Sequence, residues 1–254
     1  MKKLHPTAEF FLVPAGMGIF LVVWQALAQF SNLPSSLFPG PLAVWEIIVS
    51  HWNLLAGHSL STLAITGLGF SISIVLSLIL GALLNRSKAL GQLAGTLLVI
   101  SQTIPTLILY PLFLIWLGYG PQSRIVLVIL TCFFPVVVNF LQGLKNTPIG
   151  QIELFRSLGA GPFLIFWGVQ FPSSLPSLFG GLKLSAAYAV IAAVMGEWMG
   201  ARDGLGVYMA RSFKSFRADQ VFAGIVLISL YSLLGYKFIE FLEKILLKYK
   251  KENL

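Results

Sequence analysis

Apolar residues in this chain come in long blocks, and polar residues are confined to the short stretches between them. A bilayer core of about 30 Å is crossed by a helix of about 20 apolar residues. Blocks of that length predict six spans, at about 10–30, 59–84, 93–117, 124–142, 178–200 and 221–247. A helix satisfies its own backbone polar groups, which lipid cannot do for it. The predicted class is therefore all-α: a polytopic membrane protein with about six transmembrane helices, residues 1–254 forming one transmembrane domain.

The interruptions carry more information than the blocks. Between the first two, Pro34, Pro39, Gly40 and Pro41 mark turns. "PLAVWEIIVSHW" then predicts a short amphipathic helix at the outer interface, anchored by Trp45 and Trp52. His51 and His58 stand seven apart and read as interfacial rather than as metal ligands. In the third block Pro105 and Pro111 each remove a helical hydrogen bond, beside the polar Gln102, Thr103 and Thr106. Such a kink either borders a translocation path or is only a packing kink. The fifth block repeats small residues (Gly181, Ser185, Ala189, Ala192, Ala193, Gly196, Gly200), which predicts a central helix packed closely on several partners. Glu197, near its outer end, is either functional or an interfacial partner of Arg202 or another cation.

Composition agrees with a membrane class: 57% of residues are hydrophobic and only 10% charged, too few to cover a water-facing surface. The net charge of +8 does not indicate nucleic acid, because no basic stripe is present and lysines cluster at the chain ends. With both termini in the cytoplasm, twelve basic residues fall inside or at the inner rim: Lys2, Lys3, Arg86, Lys88, Lys145, Arg156, Lys183, Lys237, Lys244, Lys248, Lys250 and Lys251. Five fall outside (Arg124, Arg202, Arg211, Lys214, Arg217), which favours that orientation in the plasma membrane. "MKK" followed by an apolar run ending in Ala26–Ala28 has features of a cleaved signal, but the run is about twice the usual length, so an uncleaved helix is expected. Cys132 is the only cysteine, so no internal disulfide can form, and its apolar setting suits a small buried hydrophobe.

The segment at about 145–176 is polar enough to leave the bilayer and patterned enough to be ordered. Thr147 and Pro148 suit a helix start. Ile149, Ile152, Phe155 and Leu158 then recur near helical spacing, and Gly159 suits the left-handed residue that ends a helix. Pro162 starts a second short helix, which Pro172 and Pro176 are expected to stop. Two short helices joined at a glycine can dock in a groove of a soluble partner or lie on lipid.

Here the residues carry a resemblance. The run resembles the signature loop of permease subunits of type I ABC importers: Glu-Ala-Ala, three residues, Gly, nine residues, Ile, any residue, Leu, Pro. Glu153, Gly159 and Pro172 keep both letter and spacing, while Leu154, Phe155, Val169 and Phe171 replace the other letters with apolar residues. "LFPGPLAVWEII", "SQTIPTLILYPLFLIWLGYG" and "GEWMGARDGLGVYM" are similar to the branch that imports nitrate, taurine, alkanesulfonates and thiamine-pyrimidine precursors, with the last nearest in texture to pyrimidine-precursor permeases.

The resemblance implies a MetI-like permease fold, paired with a second permease copy. It also implies a separate ATPase that holds the ATP, and a solute-binding protein outside. The chain itself would hold no cofactor and catalyse no reaction, and it lacks a G-x-x-x-x-G-K-[ST] phosphate loop. Glu153, Arg156, Gly159 and Pro172 are the candidates for gripping the ATPase, and Gln102, Thr103, Tyr188 and Glu197 for the substrate path. An intramembrane enzyme is disfavoured, because no H-E-x-x-H and no nucleophile–base set is evident. A secondary transporter remains the rival class, although repeats and membrane-buried charges are not apparent.

Overall fold

The computed structural model describes residues 6–31, 33–101 and 103–247. Among these, helices run in the order α1 (Pro6–Phe30), α2 (Pro41–Ser50), α3 (Trp52–Leu84), α4 (Lys88–Ser101), a 3-10 turn (Thr106–Leu109), α5 (Tyr110–Leu117) and α6 (Pro121–Lys145). They continue as α7 (Ile149–Ser157), α8 (Pro162–Ile165), a π turn (Phe166–Gln170), α9 (Phe171–Trp198), α10 (Leu205–Lys214) and α11 (Ala218–Leu246). No strand occurs among the described residues.

Four described helices are long and apolar enough to cross a membrane: Trp52–Leu84, Pro121–Lys145, Pro162–Trp198 and Ala218–Leu246. Pro14–Phe30 and Thr106–Leu117 are shorter apolar helical stretches that fall in the first and third predicted blocks. The short helix expected after the turns is present as α2, with Pro41 at its start and Trp45 and Trp52 exposed. The second span begins at Trp52 rather than near 59, because His51 alone separates it from α2.

Two expectations need correction. The third block is not one kinked helix but α4, a break and a 3-10 turn leading into α5. Pro105 has extended backbone (φ −61°, ψ 116°) and is the N-cap of the 3-10 turn, so it lies in the break instead of bending a continuous helix. In the fifth block, Pro172 and Pro176 do not stop the second short helix. The chain stays helical for 37 residues, Pro162–Trp198. A proline ring clashes with the carbonyl four residues earlier, and the π turn at Phe166–Gln170 widens the backbone there, so Pro172 is accommodated.

α9 is the central helix. It packs along α6 and against α3, α11 and α10. Small residues permit this: a Cβ on Gly181 would lie 2.6 Å from the Pro135 carbonyl oxygen of α6. Gly143 of α6 is pressed as closely by Ser174. Cys132 Sγ donates to the Ser185 carbonyl at 3.5 Å, and Ser185 Oγ donates back to the Cys132 carbonyl at 2.9 Å. Cys132 is fully buried, as its apolar setting predicts.

Candidate functional site

A cavity of about 220 Å³ lies between the 3-10 turn, α6 and α9. Thr106 and Leu107 come from the turn, Leu127 and Thr131 from α6, and Tyr188, Ile191, Ala192 and Met195 from α9. Thr131 turns its hydroxyl back to the Leu127 carbonyl at 2.8 Å, as membrane threonines commonly do, and lies 3.4 Å from the Thr106 hydroxyl. Among the described residues, no charged side chain lines the cavity. Of the four residues predicted for a substrate path, Tyr188 lines it and is half-exposed. Thr103 is exposed, does not line it, and donates to the Ile100 carbonyl at 2.7 Å. Gln102 lies outside the described residues.

Glu197 is buried, 1% exposed, on the last turn of α9 and off the cavity. It makes no ion pair with Arg202 or any other described residue. Its Oε2 instead accepts the Gly206 N–H at 2.9 Å and the Thr62 hydroxyl at 3.0 Å. Thr62 Oγ1 in turn accepts the Leu205 N–H at 2.9 Å, and His58 Nδ1 accepts the Gly204 N–H at 3.0 Å.

A helix leaves its first N–H groups unpaired and carries partial positive charge at that end. The first donors of α10 are thus capped by side chains of α3 and α9. Gly204 has φ +113°, and a Cβ there would collide with the Glu197 carboxylate. His58 therefore serves as a cap. The sequence shows only that it stands one turn before Thr62 on the same helix.

The 145–176 segment forms as α7, α8 and the π turn. Pro148, not Thr147, is the N-cap residue of α7, and Thr147 Oγ1 donates back to the Leu144 carbonyl at 2.9 Å. Thr147 is buried at the end of α6, which leaves its hydroxyl no reach to α7. The other end forms as predicted. Gly159 has φ +81°, with its N–H on the Arg156 carbonyl and the Ala160 N–H on the Phe155 carbonyl, both at 2.9 Å. This paired closure is the Schellman motif.

Phe155 tucks its ring against Gly168 of the π turn, 3.1 Å from where a Cβ would stand. Glu153 and Arg156 are exposed, and Pro172 sits half-buried at the start of α9. Apolar side chains stand out around them: Ile149 is 71% exposed, Leu158 75% and Phe163 78%. Asn85 at the end of α3 donates to Gln170 Oε1 at 2.9 Å, fixing this piece to the bundle.

Apolar helices thus pack around a small cavity, with an ordered helical loop between α6 and α9. The chain belongs to the family described as the binding-protein-dependent transport system inner membrane component, whose model matches residues 73–248. It is thus a multi-pass permease subunit of an ABC importer.

The formylaminopyrimidine transport permease protein ThiX of Halalkalibacterium halodurans is 37% identical over 253 residues, covering 99% of this chain and 98% of that protein. The putative aliphatic sulfonates transport permease protein SsuC of Bacillus subtilis is 30% identical, covering 98% and 90%. Among solved structures, the MetNI methionine ABC transporter in inward-facing form matches with TM-score 0.62 and 23% identity, over 75% of this chain and 97% of that one. That likeness establishes the shared fold.

Proposed function

We propose that this chain pairs with a second copy of itself and imports a small uncharged heterocycle of the formylaminopyrimidine kind, driven by ATP on a separate ATPase. One observation carries the substrate lean: the cavity is lined by apolar side chains, two threonines and Tyr188, with no charged side chain among the described residues. A sulfonate or nitrate in such a lining would lose its hydration without an ionic partner. The volume is below the roughly 300–1,000 Å³ of sites for drug-sized ligands, which suits a single ring. The 37% identity to a formylaminopyrimidine permease supports the same lean.

In this reading both termini and the 145–176 segment are cytoplasmic. Glu153, Arg156, Gly159 and the exposed apolar residues of α7 and α8 dock in a groove of the ATPase. Pro172 and the π turn carry the movement into α9, and a solute-binding protein delivers the solute at the opposite end.

The test is uptake into vesicles holding the permease with its ATPase and binding protein. The expected result is ATP-dependent accumulation of the aminopyrimidine without competition from taurine or alkanesulfonates. Uptake driven by an ion gradient without ATP would make the chain a secondary transporter. Effective competition by sulfonates would move the substrate to the oxyanion class.

A further inference from the structure

The permease reading gives no role to a pair of buried opposite charges beside the cavity. Arg124, in the first turn of α6, is 7% exposed, yet its Nε and Nη1 have no hydrogen-bond partner among the described residues. Its ion pair is a loose 3.7 Å contact with Asp203, whose side chain is 59% exposed and which therefore holds it weakly. Glu197 is in the complementary position. Oε2 takes both donors of the α10 clamp, and Oε1 is buried without a partner.

The two residues flank one glycine: a Cβ on Gly196 would lie 3.2 Å from Arg124 Cγ. The two form no ion pair. A buried guanidinium and a buried carboxylate oxygen that each lack a partner are unfavourable, and a direct contact would satisfy both.

We propose that Glu197 exchanges partners during transport, clamping α10 in the arrangement seen here and pairing with Arg124 in the alternate one. The inference rests on the permease reading above. Its position makes the exchange consequential. Leu127, one turn from Arg124 on α6, and Met195, two residues from Glu197, both line the cavity. Drawing Glu197 toward Arg124 closes α6 on α9 at that end of the cavity. The same movement withdraws the acceptor from Gly206, which is otherwise seated against the Val194 carbonyl of α9. One carboxylate thereby links the cavity end to the seating of α10, and two discrete pairings give a two-state element. Arg124 and Glu197 are positioning residues that need not touch the solute.

The experiment compares wild type, E197Q, R124Q and the double variant in the assembled complex, melted once without nucleotide and once trapped with ATP. Partner exchange predicts additive melting shifts without nucleotide and non-additivity of about 4 °C or more in the trapped state. It also predicts that R124Q alone melts close to wild type without nucleotide, since among the described residues Arg124 has only the loose Asp203 contact there. In uptake, each variant is expected to be about tenfold slower at unchanged half-saturating solute.

Equal coupling in both states would show a fixed pair and overturn the proposal, as would coupling in neither. If E197Q does not assemble, R124Q decides alone: a large melting loss without nucleotide, or wild-type uptake, refutes the exchange. Wild-type uptake that needs no ATP would instead overturn the importer reading, and the nucleotide-free R124Q melt would still bear on the clamp.

Discussion

Two glycines of this chain answer to different physics. Gly159 holds φ +81° with open space around its Cβ position, so only the backbone conformation demands glycine. A β-branched residue there costs about 1–3 kcal/mol in the local turn. Gly159→Val is therefore expected to leave the bundle folded while uncoupling the loop. Uptake should fall by at least about tenfold while melting drops by no more than about 10 °C, and normal uptake would remove the glycine from the coupling mechanism.

Gly181 has ordinary backbone but no room, with the Pro135 carbonyl oxygen 2.6 Å from a built Cβ. Gly181→Ala must push α6 away from α9, a cost of about 1–3 kcal/mol. It should lower the melting temperature measured in detergent, and an unchanged melt would show that the two helices separate easily.

At the scale of elements, the Lys183–Glu243 pair shows how α9 and α11 are joined. Lys183 Nζ donates to Glu243 Oε2 at 2.8 Å, with the side chains 21% and 22% exposed. Removing one partner of such a pair strands the other, whereas replacing both with apolar groups is often nearly neutral. Glu243→Gln is expected to destabilise by about 1–2 kcal/mol, below the fully buried case because both groups keep some exposure. The double change Lys183→Met, Glu243→Leu should recover most of that loss in thermal unfolding. A double variant as unstable as the single one would show that the charges have a further partner.

The elements also show what the sequence could and could not disclose. α2, the glycine-ended α7 and the small-residue face of α9 are local patterns, and each is visible in the letters. The π turn is not, because a widened turn leaves no period of its own, and Pro172 and Pro176 read as stops without it. The cap on α10 was equally hidden. His58, Thr62 and Glu197 meet the N-terminus of α10 only through the packing of α3 on α9, and the sequence separation of 135 residues between Thr62 and Glu197 carries no signal. The cavity was half legible. Tyr188 and Thr106 stood out as polar groups in apolar runs, while Leu127, Ile191 and Met195 look like any lipid-facing residue until the helices are placed.

At the scale of the whole molecule, the exposed face of α9 is the surface on which the paired assembly proposed above would rest. α9 is buried by α3, α6, α10 and α11 on most of its surface, yet Leu184, Tyr188, Ile191, Met195 and Trp198 form an exposed stripe. Their spacing alternates four and three, the repeat of a helix seam that faces another helix. Tyr188, Ile191 and Met195 also line the cavity, so the stripe and the cavity open to the same side. In a symmetric pair, each copy presents the same patch to the other, so residues near the axis meet their own counterparts. Ile191→Cys and Met195→Cys should therefore each give a disulfide-linked dimer when membranes are treated with a mild oxidant. Cys132 stays silent in that experiment because it is fully buried between α6 and α9. Val22→Cys, 69% exposed on the peripheral α1, is the control and should remain monomeric. Crosslinking through α1 with none through α9 would place the stripe against lipid. The cavity would then belong to one chain, and the paired assembly on which the import mechanism rests would have to be built on another face.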